Sequence, residues 1–183
     1  MKKGIYPAVA IANAFLETAQ QKQEDISPMK LQKLVYFAHA LSLAVYHRPL
    51  IDEPVYAWKF GPVIKSVYNE FRAYGYQPIH SLGTLIRKIG LARTSDEGPG
   101  FEVCIPKINP HDHNVRNLID QIWELYGGLS AHTLSNLTHK PGSPWEITRN
   151  EHQNGEIPDY ELSLELIETS MMKELGLMQE EIA

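Results

Sequence analysis

"PMKLQKLVYFAHALSLAVYH", Pro28 to His47, is the stretch on which the fold turns. Leu31, Leu34, Val35, Ala38, Leu41 and Val45 recur at steps of three and four, the spacing of one helix face. Tyr36, Phe37, Ala40, Leu43 and Ala44 cover much of the remaining surface, and a helix apolar nearly all round belongs at the centre of a fold. Ser27 suits an N-cap and Pro28 a first helical turn. The polar residues Lys30, Gln32 and Lys33 crowd into that first turn. Cations there oppose the helix dipole, so they call for an acidic neighbour or a functional reason, with pairing favoured.

Upstream, Pro7 opens a first helix with Val9, Ala12, Phe15, Leu16 and Ala19 as its stripe, broken by Glu24-Asp25 and "ISP". Downstream, "RPLIDEP" makes a turn, and "VYAWKF" has the β-branched and aromatic content of a short strand. Gly61 ends that strand. Pro62 then opens a helix closed by Gly75 as C-cap. Tyr76 to Pro110 is irregular, with a weakly amphipathic piece around "LGTLIRKIGL" and one strand candidate, "FEVCI", whose simplest partner is "VYAWKF". Asp112, Ser130 and Ser143 cap three further helices, the first ended by Gly127-Gly128 and the last carrying Trp145. Tyr160, Leu164, Ile167, Met171 and Leu175 mark a final helix. The expectation is a mainly α fold: a single compact helical domain spanning 1–183 around a buried central helix, with a small two-stranded antiparallel β ribbon. The acidic C-terminal helix, 156–183, is part of it.

Composition bounds the function. A chain of 183 residues, 43% hydrophobic and 21% charged, has room for a substantial core. A single cysteine, Cys104, excludes an internal disulfide and suits a reducing cytoplasm. Its apolar surroundings suggest a buried, inert thiol. No apolar run approaches a membrane span. The start, "MKKGIYPAVAIANAFLETAQQ", mimics a signal peptide, but Asn13 interrupts the apolar run and its period is helical, so a cytoplasmic location is expected. Net charge is −5, with eight acidic residues and one basic from Glu156 onward. Phosphate neutralisation needs a concentrated basic surface, which disfavours nucleic-acid binding. The acidic end reads first as a solvated face, and more sharply as a surface for a basic partner.

Catalytic and metal chemistry find little support. The eight histidines include "HDH" at 111–113, His132 and His139, but none shares the helix-face spacing of a metal site. No G-x-S-x-G, P-loop or G-x-G-x-x-G occurs, and no cofactor is implied. A helix-turn-helix is disfavoured because the second helix has polar residues only in its first turn. In "VYAWKFGPVIKSVYNEF", residues 55–71, Trp58, Phe60, Val63, Val67 and Tyr68 suit seating on the central helix, although Lys59 alternates with aromatics as a docking surface would. Core packing is favoured over interface there.

Joined together, "MKLQKLVYFA", "RPLIDE" and "AWKFGPVIKSVY" resemble the motif of the Panacea domain family, the SocA-like antitoxin and GepA-like phage-associated group. Leu134, Ser135, His139, Pro144 and Trp145 extend the likeness, and Arg48 departs from the glycine expected near the turn. The resemblance implies an α-helical antitoxin that neutralises a cognate toxin, usually adjacently encoded, by direct binding. Delivery of the toxin to a ClpXP-type protease is the alternative mechanism, and an unrecognised small enzyme using His39 or His139 the alternative class. No catalytic residues come with the family. The motif residues Leu31, Leu34, Tyr36, Phe37, Trp58, Phe60, Gly61, Pro62, Val67, Tyr68 and Trp145 are expected to form the common frame, with Trp58 and Phe60 anchoring the turn. Candidate partner-binding residues are Lys30, Lys33, Lys59 and Lys65, with Glu161, Glu165 and Glu168 of the acidic helix covering a basic toxin surface. Oligomeric state is open.

Overall fold

The computed structural model describes residues 5–89, 100–152 and 159–177. Lys2, Lys3, Glu156, Pro158, Glu180, Glu181 and the end of "LGTLIRKIGL" lie outside them. Helix α1 spans Ala8–Lys22 and α2 spans Pro28–Tyr46. A hairpin follows, β1 (Val55–Trp58) and β2 (Gly61–Ile64), and then α3 (Lys65–Phe71), extended by a 3-10 turn through Tyr74. A second hairpin comprises β3 (Leu85–Ile89) and β4 (Gly100–Cys104). Among the described residues four more helices follow: α4 (His113–Ile122), α5 (Ala131–Thr138), α6 (Pro144–Glu151) and α7 (Leu164–Glu174).

Every residue of α2 from Leu31 to Ala44 is buried. Helices α1, α3, α4, α5 and α7, together with β2, pack around it. The mainly helical fold with a buried central helix is therefore what the apolar pattern demands. Its caps are also those the sequence offers. Ser27, Asp112, Ser130 and Ser143 each accept a backbone N–H near the start of their helices. Helix α1 has no such residue of its own; instead Glu53 reaches across and accepts the Ala8 N–H at 2.7 Å. Burial holds the Glu53 carboxyl above its usual range.

Strand pairing departs from expectation. "FEVCI" does not pair with "VYAWKF"; Gly100–Cys104 pairs with Leu85–Ile89, within the amphipathic piece. The "VYAWKF" run stops at Trp58, turns through Lys59 and Phe60, and folds back on Gly61–Ile64. Among the described residues there are thus two antiparallel strand pairs. Pro62 lies in β2 and the helix begins at Lys65, not at Pro62. A proline is tolerated in so short a strand because, among the described residues, β2 has no further strand on its outer side to receive an N–H. Gly61 takes the positive φ of the turn, +98°. The free edge of β1 is taken by the chain before α7: Ala57 N–H donates to Tyr160 O and Leu162 N–H to Val55 O, both at 2.8 Å. Tyr160 is accordingly extended and not helical as its spacing suggested.

Two smaller corrections follow from packing. The end of the α4 helix, Trp123–Gly127, widens into a π-type turn. A Cβ on Gly127 would come within 2.9 Å of the Trp123 ring, so the glycine lets Trp123 fold inward. Cys104, at the end of an exposed ribbon, is only half-buried.

Candidate functional site

At the crowded start of α2, Gln32 and Lys33 serve a structural purpose that involves no acid, while Lys30 feels the charge of Glu24. Gln32 uses its side-chain amide as a strand would: Nε2 donates to Ile64 O at 3.0 Å and Oε1 accepts Ile64 N–H at 3.1 Å. Lys33, 1% exposed, extends beneath the turn and donates to Phe60 O at 2.8 Å and Pro62 O at 3.1 Å. Two carbonyl dipoles replace the expected carboxylate. Without a countercharge, burial lowers the Lys33 ammonium to about 7. Lys30 also lacks an ion pair among the described residues and lies 5.8 Å over the Trp123 ring.

The remote motif pieces close on the same turn. Ser135 Oγ donates to Phe60 O at 3.3 Å. Its own carbonyl accepts from Thr138 Oγ1 and from His139 Nδ1, at 2.7 and 2.6 Å. The His139 ring meets Trp145 with centroids 4.0 Å apart, and Trp145 Nε1 donates to Trp58 O at 2.7 Å. Gly61 sits at the centre. A Cβ there would fall 2.5 Å from Lys33 Nζ and 2.7 Å from Thr138 Oγ1. Sequence spacing gave no sign that residues 33, 61, 138 and 145 meet, because they come from four separate elements, α2, the β1–β2 hairpin, α5 and α6.

This polar frame fixes the turn by its backbone and leaves its side chains outside. Phe60 is 64% exposed, so it does not anchor the turn through its ring as expected; its carbonyl does. Tyr68 is exposed as well, edge-on to Trp58 with centroids 5.0 Å apart. Lys59 belongs to the turn rather than to a strand face, its ammonium 5.5 Å over the Phe60 ring. Between the start of α2, the turn and α3 runs a groove of about 490 Å³, lined by Met29, Lys33, Phe60, Val63 and Val67 among others.

The other candidate residues lie apart. Lys65 donates to Asp159 at 2.6 Å and stands 4.1 Å over Tyr56. Lys65, and then Trp58 Nε1, hold the Asp159 carboxyl below its usual range. Glu168 contacts His47 at 2.6 Å, while Glu161 and Glu165 are exposed. The acidic segment is thus partly matched within the chain. His39 is fully buried in α2: Ile51 N–H reaches Nδ1 at 3.4 Å, and Nε2 has no hydrogen-bond partner among the described residues. Burial lowers it to about 4. The ribbon carries a second apolar surface. Ile86 and Val103 are cross-strand partners, Phe101 shares their face, and all three are more than half exposed.

Residues 31–146 match the model of the family described as antitoxin SocA-like, Panacea domain. The chain belongs to this family. Its matched span opens on Leu31 and runs one residue past Trp145, so it encloses the whole Panacea frame around Gly61. Antitoxin SocA of Caulobacter vibrioides (strain NA1000 / CB15N) is 34% identical over 143 residues, covering 78% of this chain and 70% of that protein. No solved structure matches this Panacea chain. Among its described residues no helix is long and apolar enough to cross a membrane, and no group of three or more His, Cys, Asp or Glu is placed to hold a metal ion.

Proposed function

We propose that the chain is a non-enzymatic cytoplasmic antitoxin that neutralises a cognate toxin, encoded by an adjacent gene, by binding it directly. The observation that carries this reading is the groove beside the Gly61 turn, where hydrogen bonds from Lys33, Ser135 and Trp145 fix the backbone while Phe60 and Tyr68 stand exposed. A rigid frame that presents aromatic side chains loses little conformational freedom on binding, as protein interfaces require. The exposed face of the β3–β4 ribbon supplies a second apolar surface of the same kind. Glu161 and Glu165 add charge that speeds capture of a basic toxin.

Co-expression tests it. Expression of the neighbouring reading frame alone should arrest growth, and this chain should restore it; a neighbour harmless on its own rejects the antitoxin reading. In a host lacking a ClpXP-type protease, retained protection means occlusion. Lost protection with the complex intact means delivery.

A further inference from the structure

The groove has a sign as well as a shape. Two exposed cations, Lys59 and Arg72, line it above the buried Lys33, and no carboxylate is among its lining residues. Four other cations of this chain are matched, Lys65 by Asp159, Arg87 by Glu102, Lys107 by Glu17 and Lys140 by Glu174. Lys59 and Arg72 form no ion pair among the described residues. They flank an apolar surface made by Met29, Phe60 and Tyr68, which are 41%, 64% and 39% exposed, over the inner wall of Val63 and Val67.

Resting on the reading of this chain as a toxin-binding protein, we propose that the groove receives a segment of the partner protein in which one aliphatic or aromatic side chain is flanked by carboxylates. The apolar side chain settles against Val63 and Val67, and the carboxylates meet Lys59 and Arg72. Volume favours this occupant, since pockets of this size take a large side chain with its neighbouring backbone. Charge favours this occupant over the alternatives. A basic segment meets the two exposed like charges of Lys59 and Arg72, and a purely apolar segment gains nothing from either. The Gly61 frame supplies the rigidity. The turn cannot retreat from an incoming side chain without breaking the Lys33, Ser135 and Trp145 hydrogen bonds that hold its carbonyls.

The test uses the purified full chain and fluorescein-labelled peptides with Glu-Phe-Glu, Lys-Phe-Lys and Glu-Ala-Glu centres in one neutral context, read by fluorescence polarisation. The Glu-Phe-Glu peptide should bind saturably and the other two at least about tenfold more weakly. The double variant Lys59→Glu, Arg72→Glu, altered only at exposed positions, should reverse the order of the two Phe peptides. The proposal is overturned if no Glu-Phe-Glu binding saturates, if affinity ignores the flanking charge, if the charge reversal changes nothing, or if single-stranded DNA binds more tightly than every peptide. Protection against the neighbouring gene product is scored separately. Equal protection by the wild type and the charge-reversed chain rejects the groove as the toxin contact and leaves the antitoxin reading standing. Peptide binding without protection does the opposite.

Discussion

Gly61 concentrates two demands in one residue. Its φ of +98° strains any side chain, and a Cβ would press on Lys33 Nζ and Thr138 Oγ1. Gly61→Ala should therefore lower stability by at least about 1–2 kcal/mol from the backbone alone, measurable as a reduced Tm. An unchanged Tm would mean that the frame is softer than its hydrogen bonds indicate. His39 makes a different prediction. Its folded pKa, about 4, lies below the ordinary value of 6.5, so between those values the unfolded chain holds more protons. Stability is then lost as pH falls from 6.5 toward 4, by roughly 3 kcal/mol from this residue. His39→Gln keeps an acceptor for Ile51 N–H and should flatten that part of the pH profile in denaturant titrations. A variant as acid-sensitive as wild type would place the effect elsewhere.

Among elements, α1 and the β3–β4 ribbon are tied by a residue whose sequence context misleads. Asn13 reads as an interruption of an apolar run, yet it is 1% exposed and deliberately placed by the fold. Its Nδ2 donates to Gly83 O and Pro106 O, and its Oδ1 accepts Gly83 N–H, at 2.9, 3.0 and 2.7 Å. These bonds pin the chain on either side of the ribbon. Asn13→Ala should cost about 2–4 kcal/mol by leaving buried backbone groups unmatched, and should speed amide exchange in the ribbon before it does so in α2. Uniform acceleration across the chain would show that the ribbon is not a separately tethered element. A two-stranded ribbon is marginal by itself in water, which is why its tether matters.

At the scale of the whole molecule, α7 belongs to the core as well as to the acidic surface. Ile167 and Met171 of α7, with Leu162 just before it, join the same hydrophobic cluster as α1 and α2. Each large buried side chain contributes about 1.5–3 kcal/mol, so removing residues 159–177 forfeits an amount comparable with the total stability of an ordinary domain. The truncated chain should lose cooperative unfolding by circular dichroism and aggregate on a sizing column. A folded, monomeric truncation would contradict that packing. Truncation therefore cannot test whether the acidic face touches a toxin, whereas Glu165→Lys, at an exposed position, can.

Apolar period, proline position and capping residues determined by themselves that α2 is central, that the chain is mainly helical, and where most helices begin. Those signals act within a few residues, where backbone geometry alone relates spacing to a face. Family membership was equally legible from "KLQKLVYFA", "AWKFGPV" and the Leu-Ser, His and Pro-Trp pieces. Tertiary structure decided what those motifs do. Strand partners depend on which edges are left free, so "FEVCI" found "LIRKI" and Tyr160–Leu162 took the edge of β1. Lys33 of α2 found carbonyls instead of a carboxylate, because a turn from another element arrived above it. Phe60 was left in solvent because hydrogen bonds to its carbonyl already fixed the chain there. Burial and partnership at these residues arise between segments far apart in sequence, and no local pattern encodes them.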